Sequence, residues 1–138
     1  MQAVEYEAVT TAPEDAVVAL YEAGGWWQES KKAREVIPRM IRGSFCFMLA
    51  RAEGKIVGMG RAISDGASDA YIQDVVVLRE FRGRGIGREL VRRLTAHCVE
   101  REIGWIGLVA EPGTGAFYEG LGYKPLAGYQ PMLHGKKG

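Results

Sequence analysis

From Leu78 to Leu90 the chain reads LREFRGRGIGREL, with Gly83, Gly85 and Gly87 on alternate positions. Glycine lets a backbone turn tightly and approach a ligand, so that successive amide N–H groups and the positive end of a following helix face one anion. Between Arg79 and Arg93 six arginines (Arg79, Arg82, Arg84, Arg88, Arg92 and Arg93) stand against two glutamates, a local excess of +4 in a protein of formal net charge +1. Guanidinium groups suit bidentate contact with phosphate oxygens, so the run reads as a cradle for a polyanionic group. The spacing is neither the P-loop nor the dinucleotide fingerprint, because Arg88 stands where the third glycine of GxGxxG would fall. The bland alternative is a glycine-capped amphipathic helix with a solvated arginine face.

A second candidate is Asp74, a carboxylate inside the apolar run Ala70 to Leu78. Burying it is costly unless it is paired or working, so it is either a base or acceptor anchor, or the partner of an arginine such as Arg61. Glu22 and Asp65 read as a helix-surface residue and a turn residue. Cys46 and Cys98 lie in apolar runs without CxxC or Cys/His spacing, so they read as buried thiols in a reducing compartment and not as metal ligands or a nucleophile.

The elements that must position these residues follow from periodicity. Val4 to Val9 alternates as a half-buried strand does, and Glu14 to Ala23 carries a helical stripe of Val17, Val18, Leu20 and Tyr21, closed by Gly24-Gly25. Ser30 caps a second helical stretch through Ile41, which Pro38 is expected to kink or split. Phe45 to Ala50 and Ile56 to Ile63 form a hairpin across Ala52–Lys55, and Ala70 to Leu78 is expected as a central strand covered on both faces. A long helix, Gly85 to Glu102, leads by a right-handed crossover to a parallel strand, Trp105 to Val109. Thr114 to Leu121 reads as a short helix with Phe117 and Leu121 on its buried face, and Tyr123 to Leu133 as a weak final strand. His97 and His134 read as surface residues. The expected fold class is α+β: one domain over residues 1–138, a mixed, mostly antiparallel sheet flanked by helices, with residues 135–138 as a disordered tail.

Arg82 to Gly87 resembles the R/Q-x-x-G-x-G/A signature of the GNAT superfamily of acetyl-CoA-dependent N-acetyltransferases, placed directly after a strand as in that family. Ala116-Phe117-Tyr118-Glu119-Gly120-Leu121-Gly122-Tyr123 is similar to its second signature, A-x-FYEKLGF. The run Tyr71 to Val77 is also similar to a subgroup with small amine acceptors that includes plant-type arylalkylamine acetyltransferases. The resemblance spans essentially the whole chain and implies splayed central strands holding acetyl-CoA as co-substrate. It implies that Arg82, Gly83, Arg84, Gly85, Ile86, Gly87 and Arg88 hold the CoA pyrophosphate and that the edge at Val75, Val76 and Val77 pairs with the pantetheine arm. Where the family often has an asparagine contacting the cofactor, this chain has Glu111-Pro112-Gly113-Thr114-Gly115, and Thr114 is the partial substitute.

Direct acetyl transfer needs an unprotonated amine, stabilisation of the oxyanion and an acid for the departing thiolate. The resemblance implies a backbone N–H near Val76 or Val77 as oxyanion donor, left unpaired by a strand bulge. Tyr118 is the candidate acid, since a phenol's reference pKa of about 10 is close to a thiol's of about 8.5; its alternative role is a core aromatic. Tyr21, Trp26, Trp27 and Tyr71 are the candidate acceptor pocket, an aromatic wall suited to an arylalkylamine or an apolar side chain and able to bind a cation on its ring faces.

The expected activity is therefore acetylation of a primary amine, carried by a small molecule, through a ternary complex with no covalent enzyme intermediate and no metal. A catalytically silent acyl-CoA-binding regulatory module is the first rival. An RNA-binding domain using the arginine helix is the second, disfavoured because exposed aromatics are not interleaved with the arginines. No apolar run approaches the roughly 20 residues of a membrane helix, and MQAVEYEAV lacks a leader's basic start. The expected setting is cytoplasmic, without nucleic-acid or membrane partners, and homodimerisation is open.

Overall fold

Val17, Val18, Leu20 and Tyr21 recur at helical spacing, and all four are buried on α1, Glu14–Ala23. Glu14 and Asp15 place negative charge at its positive end, and the Gly24 N–H closes its last turn on the Leu20 carbonyl at 3.0 Å. The Ser30 hydroxyl accepts the Ala33 N–H at 2.9 Å and caps α2, Lys31–Gly43. Pro38 does not split α2. It removes one intrahelical bond on the exposed side, while Ile37 and Ile41 stay buried opposite and hold the turns together.

The computed structural model describes residues 3–135, which divide at Leu108/Val109 into two compact units. Beyond Gly135, the tail expected to be disordered lies outside the described residues. The first unit carries a sheet of order β1-β2-β3-β4-β5. Its strands are β1 Glu5–Ala8, β2 Cys46–Ala52, β3 Lys55–Ser64, β4 Asp69–Val77 and β5 Trp105–Gly107. The first four pair antiparallel in sequence order, and β5 runs parallel to β4 after the crossover helix α3, Ile86–Glu100. Glu53 and Gly54 both take positive φ, 55° and 73°, as a two-residue hairpin turn between β2 and β3 requires.

Each sheet face has its own core. Leu90, Leu94 and Cys98 of α3 pack with Met48, Ala50, Ala62 and Ile72 on one face, and Val17, Leu20, Ile37 and Ile41 of α1 and α2 pack with Phe47, Leu49, Met59 and Val76 on the other. Close packing of α3 depends on β3 lacking side chains at two places. A Cβ at Gly58 would stand 3.2 Å from Leu90 Cδ1, and one at Gly60 would stand 2.8 Å from Leu94 Cδ1.

Four expectations are corrected. Covering of β4 on both faces fails in its first half, where Tyr71 and Gln73 are exposed, because α1 and α2 reach only the Met59–Val76 end of that face. His97 is half-buried, edge-on to Phe45 at 5.2 Å, and burial lowers its pKa. In the second unit no strand forms among the described residues between Tyr123 and Leu133. Pro125 and Pro131 remove two ladder donors, and Gly122 and Gly128 take positive φ of 95° and 83°, turning the chain away from extension. That unit's helix is α4, Gly115–Glu119, whose Phe117 is exposed and not buried as expected.

Candidate active site

The Gly/Arg loop opens where β4 ends. Arg79–Phe81 form a single 3-10 turn with Phe81 buried beneath it. The Arg82 side chain ties the loop down, its Nε donating to the Val77 carbonyl at 2.9 Å and Nη2 to the Ala23 carbonyl at 3.2 Å. Gly83 and Gly85 take φ of +78° and +84°, with no other atom within 4 Å of where a Cβ would stand, so the loop's outer side is open. Gly85 is also the N-cap of α3 and supplies no side-chain acceptor, which leaves the leading N–H groups of the helix available to an outside anion. These features fit a pyrophosphate.

Most of the local positive charge is used within the protein. Arg92 and Arg93 both bind Glu89. Arg92, helped by Arg93 and opposed by burial, holds the Glu89 carboxyl down at about 2. Arg84 lies 4.8 Å over the Phe81 ring and donates to the Glu80 carbonyl. Among the described residues, Arg79 and Arg88 enter no ion pair, so Arg88 in the first turn of α3 has its guanidinium uncommitted.

The strand leading into this loop is bulged. Met59 faces Val76 and Arg61 faces Gln73, so Gly60 alone opposes Asp74 and Val75. A Cβ at Gly60 would stand 3.2 Å from Val75 Cγ2, and glycine there leaves room for the extra residue. Asp74 takes φ +57°, a left-handed conformation that costs a non-glycine residue about 1–2 kcal/mol. The β4–β5 ladder ends at Tyr71–Gly107, so β4 runs on from Ile72 to Val77 with no strand beside that edge among the described residues. The end of the β4–β5 ladder and the bulge therefore both precede Val76 and Val77.

Asp74 is paired. Its Oδ2 accepts the Tyr21 hydroxyl at 2.7 Å and Arg61 Nε at 2.9 Å, on side chains that are mostly out of water. The Tyr21 oxygen also lies 3.2 Å from Met40 Sδ. Burial first, then the Asp74 charge and hydrogen bond, raise the Tyr21 phenol far above its ordinary value, which keeps it a donor. Tyr21 is only 7% exposed, so it stands behind Asp74 more than it lines an open wall.

Trp26 and Trp27 flank Tyr21 with ring centroids 6.1 Å and 6.5 Å away. Their loop is fixed by Arg34, which meets Glu14, Asp15 and Glu29 and lies 5.8 Å from the Trp27 ring centre. Trp26 lies over Gly24, where a Cβ would approach its ring to 2.7 Å. Gly24→Ala is accordingly expected to swing the Trp26 indole away from Tyr21, changing tryptophan fluorescence with a stability loss of about 1 kcal/mol; unchanged emission sinks this account. Tyr71 is not part of this group. It pairs with Trp105 of β5 at 5.2 Å, and the Trp105 ring covers Gly107.

In the second unit Tyr118 is half-buried, edge-on to Phe117 at 4.9 Å and Tyr123 at 6.2 Å. Burial, then Glu111 and Tyr123, raise its pKa. The Thr114 hydroxyl donates to the Glu111 carbonyl at 2.7 Å, leaving it only its lone pairs for another partner. Burial pushes the Cys46 thiol up to about 11 and also raises Cys98, so neither is a thiolate at neutral pH.

Arg61 is the partner that the sequence offered for Asp74, whereas Arg34 acts here without any site role expected from the sequence. Arg61's signal was its place on the strand preceding Asp74; Arg34's was three carboxylates within reach of one helix turn. Trp105 and Met40 carried no chemical signal.

Among the described residues no helix is long and apolar enough to cross a membrane. The Acetyltransferase (GNAT) family matches residues 14–123. GCN5-related N-acetyltransferase 2, chloroplastic, of Arabidopsis thaliana is 43% identical over 72 residues, which are 52% of this chain and 28% of that protein. Serotonin N-acetyltransferase 2, chloroplastic, of rice is 39% identical over 70 residues, 51% of this chain and 35% of that protein. The matches thus span about a third of these relatives' lengths. A GNAT family acetyltransferase from Streptococcus pneumoniae shares the fold at TM-score 0.82 and 23% identity, covering 99% of this chain and all of that one. With the family matched from α1 through Tyr123 and its sheet, bulged strand and glycine loop in place, the chain belongs to the GNAT family of acetyl-CoA-dependent acetyltransferases.

Proposed function

We propose that this chain is an N-acetyltransferase that moves the acetyl group of acetyl-CoA to a primary amine on a small molecule, by direct attack in a ternary complex. The observation that carries this reading is the unpaired edge of β4 running into a glycine loop and an uncapped helix. Bound acetyl-CoA supplies an acyl thioester. In this reading the amides from Gly83 to Gly87 and the Arg88 guanidinium hold the pyrophosphate, with Arg82 and Arg84 shaping the loop. The Val75–Val77 edge pairs with the pantetheine arm, and an N–H at Val76 or Val77 donates to the thioester oxygen. Tyr118 serves as the proton donor to sulfur, with Thr114 as a further contact to the cofactor. Asp74 receives the amine, as base or as anchor. High thiol pKa values at Cys46 and Cys98 support attack by the amine itself over a cysteine intermediate.

Trp26 and Trp27 beside Tyr21 support an acceptor with an aromatic or apolar body beside its amine. The rice relative's name points the same way. The test is melting-temperature shift with CoA and acetyl-CoA beside thiol release over arylalkylamines, polyamines, aminosugars and peptides. A shift with release on a small amine is the expected result. A shift without any release favours a silent acyl-CoA-binding module, and no shift refutes the cradle.

A further inference from the structure

Asp74 holds a feature that the family's cradle does not require. Two donors from different elements, the Tyr21 hydroxyl of α1 and the Arg61 guanidinium of β3, meet one and the same carboxylate oxygen, Oδ2. Among the described residues no donor is found on Oδ1. A tyrosine hydroxyl has one proton to give. At 2.7 Å from a carboxylate and 3.2 Å from a thioether, that proton belongs to Asp74, and Met40 only packs against the phenol.

Asp74 is also the left-handed residue of the bulge, and the next residue, Val75, leans into the space left by Gly60. The carboxylate and the bulge are therefore one rigid piece, because turning either breaks the bonds on Oδ2. We propose that Tyr21 and Arg61 are positioning residues that aim the free Oδ1 of Asp74 at the amine of the acceptor and hold the bulged backbone behind it. The proposal rests on the amine-transfer reading for its first half alone. An ammonium or amine offers N–H donors, Oδ1 accepts one, and the acceptor's nitrogen is thereby set at a constant distance from the strand edge. Arg61 engages through Nε, so a lysine at that position keeps the charge and loses the directed donor.

The test combines kinetics with amide exchange in Tyr21→Phe, Arg61→Met, Arg61→Lys and Asp74→Asn. Tyr21→Phe is expected to lower kcat/KM for the amine roughly tenfold and Arg61→Met roughly a hundredfold, because small displacements of a reacting partner cost that much. The KM for acetyl-CoA stays within about twofold, and Arg61→Lys recovers part of the loss. Tyr21→Phe combined with Asp74→Asn is no slower than Asp74→Asn alone, since both act through one carboxylate. Additive losses, or unchanged amine kinetics in Tyr21→Phe, overturn the proposal. If the wild-type protein acetylates no amine, the transfer reading falls by itself, and the clamp is judged by hydrogen exchange. Val75 and Val76 amides exchange about tenfold faster in Tyr21→Phe and Arg61→Met if the clamp holds the bulge; equal exchange rates overturn it.

Discussion

Gly85→Glu is expected to abolish CoA binding, leaving no melting-temperature shift at concentrations that stabilise the wild-type protein. Two effects add. Residue 85 sits at φ +84°, where any side chain is strained by about 1–2 kcal/mol. Glutamate then places a negative charge at the helix end that the pyrophosphate is proposed to occupy, where it caps the free N–H groups itself and repels the ligand. The space beside Gly85 is open, so the variant still folds. That separates binding from stability: ligand-free melting falls by several degrees, as about 1–2 kcal/mol implies for a domain of this size. Gly85→Ala carries the strain without the charge and should keep weakened binding. If Gly85→Glu binds CoA as the wild type does, the loop is only a helix cap.

The features legible in the sequence are those set by neighbours along the chain. α1 was expected at Glu14 to Ala23 and stands there, because its stripe, its acidic first turn and its Gly24-Gly25 stop all lie within a dozen residues. The glycine loop is similarly local. The arginine excess points in the sequence to ligand-facing charge, yet part of it is internal: Arg92 and Arg93 lie three and four residues beyond Glu89, the spacing at which helix side chains pair. Asp74 was marked by the cost of burying a carboxylate, and Arg61 was among its foreseen partners. Its left-handed backbone was not legible, since that depends on Gly60 across the ladder and Tyr21 on another element. The final strand failed for the opposite reason. Leu126, Tyr129, Met132 and Leu133 have the apolar content of a strand, but Pro125, Gly128 and Pro131 break its hydrogen bonding, and all four apolar residues remain exposed.

The strand irregularities are connected by their geometry. Gly60 admits the bulge, the bulge turns Asp74 toward α1 and α2, and past Tyr71 β4 has lost β5 as a neighbour. A regular β4 would leave Asp74 one step out of phase, since each added residue exchanges the two faces of a strand. The placement of Asp74 thus depends on Gly60, although that glycine has no chemistry of its own.

Tyr118→Phe is expected to lower kcat by about 10²–10⁴-fold at neutral pH, the usual range for removing a general acid, with CoA affinity nearly unchanged. Losing only the hydroxyl leaves the edge contacts with Phe117 and Tyr123 in place, so the melting temperature is a fair control. Burial, Glu111 and Tyr123 raise the phenol above its ordinary value of about 10. It therefore stays protonated through the neutral and mildly alkaline range, and wild-type activity is lost to its ionisation only above pH 10. A phenol this weak does not protonate a free thiolate of pKa about 8.5 downhill. In the proposed mechanism its acid role is a proton shared in a hydrogen bond with the charge growing on sulfur. The deficit of Tyr118→Phe should then stay constant from neutral to mildly alkaline pH and shrink only above pH 10, where the wild-type phenol ionises. A pH–rate profile of both proteins checks this; full activity of Tyr118→Phe at neutral pH would show that another group, or water, assists the leaving sulfur.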